Sequence, residues 1–245
     1  MKKLYSIIAM FLLFSSVIFS QVFISTDNSS PAASALLDVN STSKGFLPPR
    51  MTTAQRNLIS SPAAGLTIYN TTKNCNETYN GSSWVSNTHY VGESYNGGIV
   101  FYIYENGQHG LIAALSDQST GIRWYGGSLL STRARQDGPG AGLNNTTVII
   151  SNQGAVDGNP FAATVCNEYS VTVGSVKFGD WYLPSKGELN LLYLQKAVIG
   201  GFADDNYWSS TEQSYPFVWR QNFSDGDQNY DYKSYSYHVR AIRAF

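Results

Sequence analysis

The chain has 245 residues, a formal net charge of −1 and 13% charged residues, against a usual charged share of about 25%. Aromatic residues make up 14%, which excludes a disordered chain, because such chains are poor in aromatics. From His89 onward there are 10 Lys and Arg against 14 Asp and Glu, a balance of −4. A nucleic-acid partner needs a basic patch, so we expect none.

The N-terminus has the pattern of a targeting segment. Lys2 and Lys3 precede an apolar run over residues 4–19, which is short for a membrane span. This pattern predicts a secretory signal peptide over residues 1–20, with an uncleaved anchor as the alternative. No later segment has the composition of a membrane span, so we expect the mature chain to be secreted or held on the outer cell surface.

Residues 21–88 are predicted to form a small β-rich module for display or oligomerisation. Thr52 and Gln55 have the spacing of a capping box at the start of a short helix. The stretches "GLTIYN" and "NETYNGSSW" indicate two strands around a polar turn. So little apolar mass is marginal by itself, and we expect the module to pack on its own copies in an oligomer.

The remainder of the chain alternates short strands with two predicted helices. "GGIVFYIYENGQHGLIAAL" indicates two strands, and the Gly-, Ser- and Asn-rich residues 126–158 indicate long loops. One helix is predicted to start at Asn159 and Pro160, and another at Ser185, with Glu188 completing a capping box. Short strands follow to the C-terminus, so the order of elements predicts an α+β fold.

Four stretches in this order carry a family resemblance: "DWYLPSKGELNLLY", "YWSSTE", "WRQNFSDG" and "HVRAIRAF". They resemble the family named for the C-terminal domain of the legionella collagen-like adhesin, and more broadly C-type-lectin-like domains. The resemblance covers residues 89–245 and implies a C-type-lectin-like domain with short antiparallel strands, two helices and long loops that bind partners. The segment before it, with "LLDVNSTSKGFLPPRMTTAQR", is similar to a display module of exported Bacteroidetes proteins and fibre-like trimers, which implies display and a possible homotrimer.

The sequence also departs from that family. Many relatives carry a cysteine where this chain has Ala241, so if that cysteine pairs with one at the position of Cys166, Cys166 has lost its partner here. Cys75 and Cys166 are too few for a disulfide framework or a zinc site, although they could pair in an oxidising compartment. The collagen-like stalk and a basic surface are absent, so binding of sulfated glycans does not transfer.

Alternate acidic and amide residues from Asp225 to Asp231 resemble a calcium loop. An EF-hand needs Gly at position 6 and Glu at position 12, and this chain has Tyr230 and Ser236 there. We therefore expect no metal site. The alternative is a hairpin, because "SDGD" is turn chemistry and "YKSYSYHV" alternates as a strand does.

Nothing in the sequence predicts an enzyme, a catalytic residue or a cofactor. His89, His109 and His238 lie outside any recognisable nucleophile motif. The capping-box spacing explains Glu188. Trp181 and Trp208 are expected in the core, since aromatic bulk supplies most burial in domains of short strands.

The C-terminal stretch has the composition of an adaptable binding surface. Six of the 17 tyrosines lie between Tyr207 and Tyr237, mixed with Ser, Asn and Asp. Such residues combine rigid contact area with short hydrogen-bonding groups. A Tyr-rich β-surface without a ligand is the alternative. The predicted ligand-binding surface comprises Gln213, Ser214, Tyr215, Phe217, Trp219, Gln221 and the run from Asp225 to Tyr235, including Asp225, Asp227, Asn229, Tyr230, Tyr232 and Tyr235.

These residues predict a binding or adhesion protein that recognises an extracellular protein or glycan. The tail from Tyr207 to His238 also resembles the product of a retroelement that rewrites adenine-rich Asn codons, which is a further hypothesis. The alternative function is a structural subunit of an extracellular fibre or matrix, in which the tyrosines bury against neighbouring subunits.

Overall fold

The computed structural model describes residues 22–27, 29–86, 88–154 and 156–245. They divide into two compact units, one that ends at Pro49 and one from Arg50 to Phe245. The predicted signal peptide, residues 1–20, lies outside the described residues. The predicted boundary at residues 88 and 89 stays a prediction.

The first unit contains one parallel pair of strands. Strand β1 (Val22–Ser25) pairs with β2 (Leu37–Asn40). None of the residues described between 22 and 49 is buried. The described residues of this unit therefore form no hydrophobic core of their own in a single chain.

The second unit begins with a four-stranded sheet and a short helix. The Thr52 side chain accepts from the Gln55 backbone N–H, and the Gln55 side chain accepts from Thr52, so the predicted capping box is confirmed. The strands lie in the order β3-β4-β5-β6. The elements are β3 (Arg50–Met51), α1 (Thr53–Asn57), β4 (Thr67–Asn70), β5 (Cys75–Tyr79) and β6 (Trp84–Ser86).

A second four-stranded sheet joins the middle of the chain to its end. The last strand pairs with an earlier one, with Ile242 opposite Ala113, so the order is β17-β9-β8-β7. Its strands are β7 (Ser94–Tyr95), β8 (Gly98–Tyr104), β9 (His109–Ala114) and β17 (Ile242–Ala244).

The helices differ from expectation in number and position. The described residues between 141 and 199 form four helices: α2 (Ala141–Gln153), α3 (Ala162–Asn167), α4 (Lys186–Leu194) and α5 (Lys196–Ile199). The prediction of two helices and of loops throughout 126–158 is therefore wrong. Burial of Asn145 and Thr146 explains α2, because their side chains bond to Gln136 and Leu183; such tertiary bonds override weak helix propensity.

Helix α3 begins two residues later than predicted. Its N-cap is Phe161, not Asn159, and Thr164 Oγ1 accepts from the Phe161 N–H at 2.9 Å. The predicted capping box of α4, between Ser185 and Glu188, is confirmed.

The third sheet has five strands in the order β10-β16-β13-β14-β15. Strands β13 and β14 form a hairpin, β15 pairs with β14, and β16 runs parallel to β13. The strands are β10 (Ser119–Ile122), β13 (Asn206–Ser214), β14 (Phe217–Asn222), β15 (Gln228–Tyr232) and β16 (Tyr237–Val239). A separate hairpin joins β11 (Val171–Val173) to β12 (Val176–Phe178). Sheets and helices together give the α+β class.

The core of the second unit is built on tryptophan. Trp124, Trp181 and Trp208 are fully buried, which confirms the prediction for Trp181 and Trp208. Their indole N–H groups donate to backbone carbonyls, so burial leaves them satisfied. Cys166 and Ala241 lie in the same buried cluster.

Candidate binding face

The outer hairpin of the five-stranded sheet gathers aromatic side chains on one side. In the register of β14 and β15, Phe217 lies opposite Tyr232 and Trp219 opposite Tyr230. Residues two apart along a strand point to the same face, so these four rings share a face. We call Phe217, Trp219, Tyr230, Tyr232 and Tyr235 the aromatic face.

The rings of the aromatic face contact one another in sequence. The centroid of Phe217 lies 4.7 Å from that of Tyr232 and 5.5 Å from that of Tyr230. Trp219 meets Tyr230 edge to face at 5.6 Å, and Tyr232 meets Tyr235 at 5.9 Å. The three tyrosines remain between 43% and 47% exposed. Mutual packing therefore restrains rings that still offer surface to a partner.

One lysine extends this face. Lys186 Nζ lies 4.0 Å from the centroid of the Trp219 ring, a cation–π contact. Gln228 Nε2 donates to the Lys186 backbone carbonyl at 3.0 Å, which ties the start of α4 to the hairpin. Sequence reasoning did not include Lys186, because its contact with Trp219 depends on the tertiary fold.

The opposite side of the hairpin is occupied by an ion-pair network. Arg220 donates to Asp227 at 2.9 Å and to Asp231 at 3.1 Å. Burial would lower the pKa of Arg220, but the two carboxylates outweigh it and raise that pKa. Tyr237 donates to Asp231, and burial followed by this bond raises the pKa of Tyr237 to about 12. Asp227 and Asp231 are thus committed to internal partners.

The Asp225 to Asp231 segment forms a tight turn and a strand. Asp225 Oδ1 accepts from the Asp227 N–H at 2.9 Å, and Gly226 has φ +87°, which favours glycine. The pairing of β14 with β15 confirms a hairpin at this segment. The predicted strand over "YKSYSYHV" is wrong as a continuous element, because a turn closed by the Tyr235 N–H and the Tyr232 carbonyl separates β15 from β16. Among the residues that the structure describes, no group of three or more His, Cys, Asp and Glu could hold a metal ion.

The predicted surface residues do not all lie on the aromatic face. Gln213 and Ser214 are half-buried and Tyr215 is exposed, all at the turn between β13 and β14. Asp225 and Asp227 are exposed at the next turn, and Asn229 lies opposite Arg220 on the other side of the sheet.

Gln221 and Lys233 are corrections to the predicted surface. Both are fully buried. Gln221 Nε2 donates to Asn190 Oδ1 at 2.9 Å and to the Gly226 carbonyl at 3.2 Å, so it holds the turn in place rather than meeting a ligand. Lys233 is the first residue after β15, and its N–H still bonds to the Pro216 carbonyl. Extending the alternation of the strand by one residue beyond Tyr232 was the signal that could have found it.

The free edge of β15 is partly closed by its own chain. The Asn222 N–H donates to the Asp227 carbonyl, and the Lys233 N–H donates to the Pro216 carbonyl. Hydrogen-bonded positions alternate along an antiparallel pair, so every second residue of β15, counted from Asp227, bonds to β14. Tyr230 and Tyr232 therefore direct their backbone groups outward. The Tyr230 N–H donates to Asn229 Oδ1, and the Tyr232 carbonyl accepts from the Tyr235 N–H. This arrangement disfavours strand addition and leaves side chains as the contacting groups.

A cleft lies elsewhere on the second unit. It has a volume of about 350 Å³ and is lined by Tyr102, Tyr104, Leu111, Pro139, Gly140 and Ala244. None of these residues belongs to the aromatic face.

None of the helices in the described part of the chain is both long and apolar enough to cross a membrane.

Comparison with known proteins gives two family matches. Residues 24–108 match a phage tail like trimerisation region, which supports a possible homotrimer. Residues 113–243 match the Lcl C-terminal domain, the legionella collagen-like adhesin type. No curated protein matches the chain. The second match spans more than half of the sequence and includes the aromatic face, and the chain belongs to the Lcl C-terminal domain family.

Proposed function

We propose that this chain is a secreted or cell-surface adhesion protein that recognises an extracellular protein or glycan through the aromatic face. Membership of the Lcl C-terminal domain family suggests a surface or secreted protein of adhesin type. The observation that carries the proposal is the set of mutually packed rings on β14 and β15, of which Tyr230 and Tyr232 are exposed. The proposed role is non-enzymatic and needs no cofactor.

The chemistry of the face favours a partner of low charge. Lys186 is the charged group in contact with it, while Arg220 is paired with two aspartates on the opposite side. Tyrosine supplies large rigid contact area together with a hydroxyl that donates and accepts hydrogen bonds. The balance of −4 from His89 onward disfavours a polyanionic glycan. The expected ligand is a neutral glycan or a neutral polar protein surface. We also propose that the domain has a C-type-lectin-like fold.

Binding by the purified full chain tests the proposal. A glycan array and a pull-down from extracellular protein would be run with the wild type and with the triple variant Trp219→Ala, Tyr230→Ala and Tyr232→Ala. We expect the variant to lose at least about tenfold in affinity, since truncating one Trp or Tyr at the centre of an interface can cost about 2 kcal/mol or more. The control is Tyr104→Ala with Leu194→Ala, two exposed side chains outside the aromatic face. Unchanged binding by the folded triple variant would reject the placement.

A structural subunit of an extracellular fibre is the second candidate function. The absence of buried residues among those described between 22 and 49 favours assembly of some kind. Light scattering separates the two functions: a discrete monomer or trimer favours the adhesion protein, and open-ended assembly favours the fibre.

Diversification by a retroelement is part of the proposal for the same tail. The framing segment "WSST" and the first four residues of "VRAIRAF" are buried. Tyr215, Tyr230, Tyr232 and Tyr235 between them are exposed, as a variable surface on a fixed scaffold requires, whereas Tyr237 is half-buried. Buried Gln221 and Lys233 count against free variation at those two positions. The gene decides: the hypothesis needs a near-copy of this segment nearby, with adenines at the differing positions.

A further inference from the structure

The first unit exposes an unusual apolar surface. In the parallel register of β1 and β2, Val22 lies opposite Leu37 and Ile24 opposite Val39. Alternate residues of a strand share a face, so these four aliphatic side chains form one continuous patch. Each is between 40% and 58% exposed. We call Val22, Ile24, Leu37 and Val39 the aliphatic face.

The other side of the same two strands is already engaged. Asp38 Oδ2 accepts from the Ala32 N–H at 2.8 Å, and Asn40 Nδ2 donates to Ser29 Oγ at 2.7 Å. The connection between β1 and β2 therefore bonds to the polar side and leaves the aliphatic face uncovered.

An uncovered parallel pair of this kind needs a partner. Parallel sheets occur almost only with both faces covered, and an isolated pair of strands is marginally stable at best. None of the residues described between 22 and 49 is buried, so this described part supplies no core that would compensate.

The match to a trimerisation region favours further copies of the same chain as the partner of this face. It spans residues 24–108 and includes all of β2 and the second half of β1, so Ile24, Leu37 and Val39 of the aliphatic face lie inside it. We propose that the aliphatic face packs against the same face of two further copies of the chain, around a threefold axis. Each copy contributes four side chains to a shared apolar core that forms only in the trimer, and the adhesion domains are displayed from it.

The first test is the oligomeric state of the full chain, measured by light scattering coupled to gel filtration. The test variant is Ile24→Asp with Val39→Asp, which places two charges in the proposed core. The matched control is Val173→Asp with Val176→Asp. These valines also face each other on a two-stranded pair, are 48% and 51% exposed, and lie outside residues 24–108. We expect trimers for the wild type and the control, and monomers for the test variant.

A crosslinking variant keeps the proposal testable if the charged variant fails to fold. Val39→Cys places one thiol from each copy near the axis, so mild oxidation should link two chains of each trimer. The native Cys75 and Cys166 are both buried and should not compete. The control is Val173→Cys, for which we expect no linked chains. A monomeric wild type, a charged variant that stays trimeric, or Val39→Cys chains that remain unlinked would each overturn the proposal.

Discussion

Lys233 Nζ lies 3.3 Å from Glu212 Oε2, and both side chains are fully buried beneath the outer hairpin. Lys233 also donates to the Leu130 carbonyl at 2.8 Å and lies 4.7 Å from the centre of the Trp124 ring. Burial would raise the pKa of Glu212, but hydrogen bonds from Thr132 and Ser131 hold that pKa below its ordinary value. Burial lowers the pKa of Lys233. The pair ties the end of β15 to β13 and to the loop before α2.

Replacing one member of this pair should be costly. Lys233→Met leaves the Glu212 carboxylate buried without its cation, and breaking such a pair costs about 3–5 kcal/mol of unfolding free energy. Urea unfolding followed by tryptophan fluorescence measures the loss. The control is the double variant Lys233→Met with Glu212→Gln, which removes both charges and should recover most of the stability. A single variant as stable as the wild type would contradict this prediction.

Glu188 accepts four hydrogen bonds that hold the starts of two helices together. Its Oε1 accepts from the Gly140 N–H at 2.8 Å and from the Tyr182 hydroxyl at 3.3 Å. Its Oε2 accepts from the N–H groups of Gly142, at 3.0 Å, and Ser185, at 2.8 Å. The capping box explains only the bond to Ser185. The bonds to Gly140 and Gly142 are an added role that anchors α2.

Glu188→Gln should destabilise the chain although it keeps the shape of the side chain. The amide nitrogen of the glutamine would replace one carboxylate oxygen and would face the backbone or hydroxyl donors that this oxygen binds. Those buried donors would then lack an acceptor, at a cost of about 1–3 kcal/mol. Gly142→Ala should have a similar effect, because its Cβ would press on Glu188 Oε2 and lie 2.7 Å from the Leu183 carbonyl. The control is Gly179→Ala, where a Cβ meets nothing within 4 Å. The control should unfold at the temperature of the wild type. Thermal unfolding curves of Glu188→Gln and Gly142→Ala that also overlay on that of the wild type would refute this role.

The pH dependence of stability should carry a contribution from Glu77. Burial would raise the pKa of Glu77, but hydrogen bonds from Asn70, Lys73 and Arg56 outweigh it and lower that pKa. A carboxyl group whose pKa is lower in the folded chain stabilises it above the unfolded pKa of about 4.3. This stabilisation is lost as the pH falls through the folded pKa.

Glu77→Gln should therefore flatten the decline in stability below about pH 4.3. Glu212, whose pKa is also lowered, keeps part of the decline in the variant. Unfolding midpoints measured from pH 6 to pH 3 provide the comparison, with Glu168→Gln at an exposed position as the control. Equal slopes for wild type and Glu77→Gln would show that Glu77 does not contribute.

Local sequence signals predicted local structure well here. Capping boxes at Thr52 and Ser185 involve residues three apart, so the bonds that define them are readable in the sequence. Helix α2 was missed because the bonds that favour it join Asn145 to Gln136 and Thr146 to Leu183, contacts that appear only after folding.

The candidate site shows the same limit. Composition identified the aromatic tail, and alternation explains why Tyr230 and Tyr232 share a face. Composition did not separate Lys233, which alternation places on the buried side, from its exposed neighbours. The cation of Lys186 over Trp219 joins residues from α4 and β14, and no spacing in the sequence indicates such a contact.

The two cysteines should be unreactive thiols in the folded protein. Both are free and buried, and burial raises the pKa of the Cys166 thiol, which suppresses the reactive thiolate. We expect the native chain to react with a thiol reagent at least about 100-fold more slowly than the urea-unfolded chain. The unfolded chain should consume two equivalents of the reagent, one for each cysteine. Cys75→Ala isolates Cys166 and should remain unreactive until the chain unfolds. Rapid reaction of native Cys75→Ala would show that the Cys166 thiol is accessible and would contradict its burial. A disulfide in the native wild type would contradict the free thiol and would indicate that Cys166 has a partner despite Ala241.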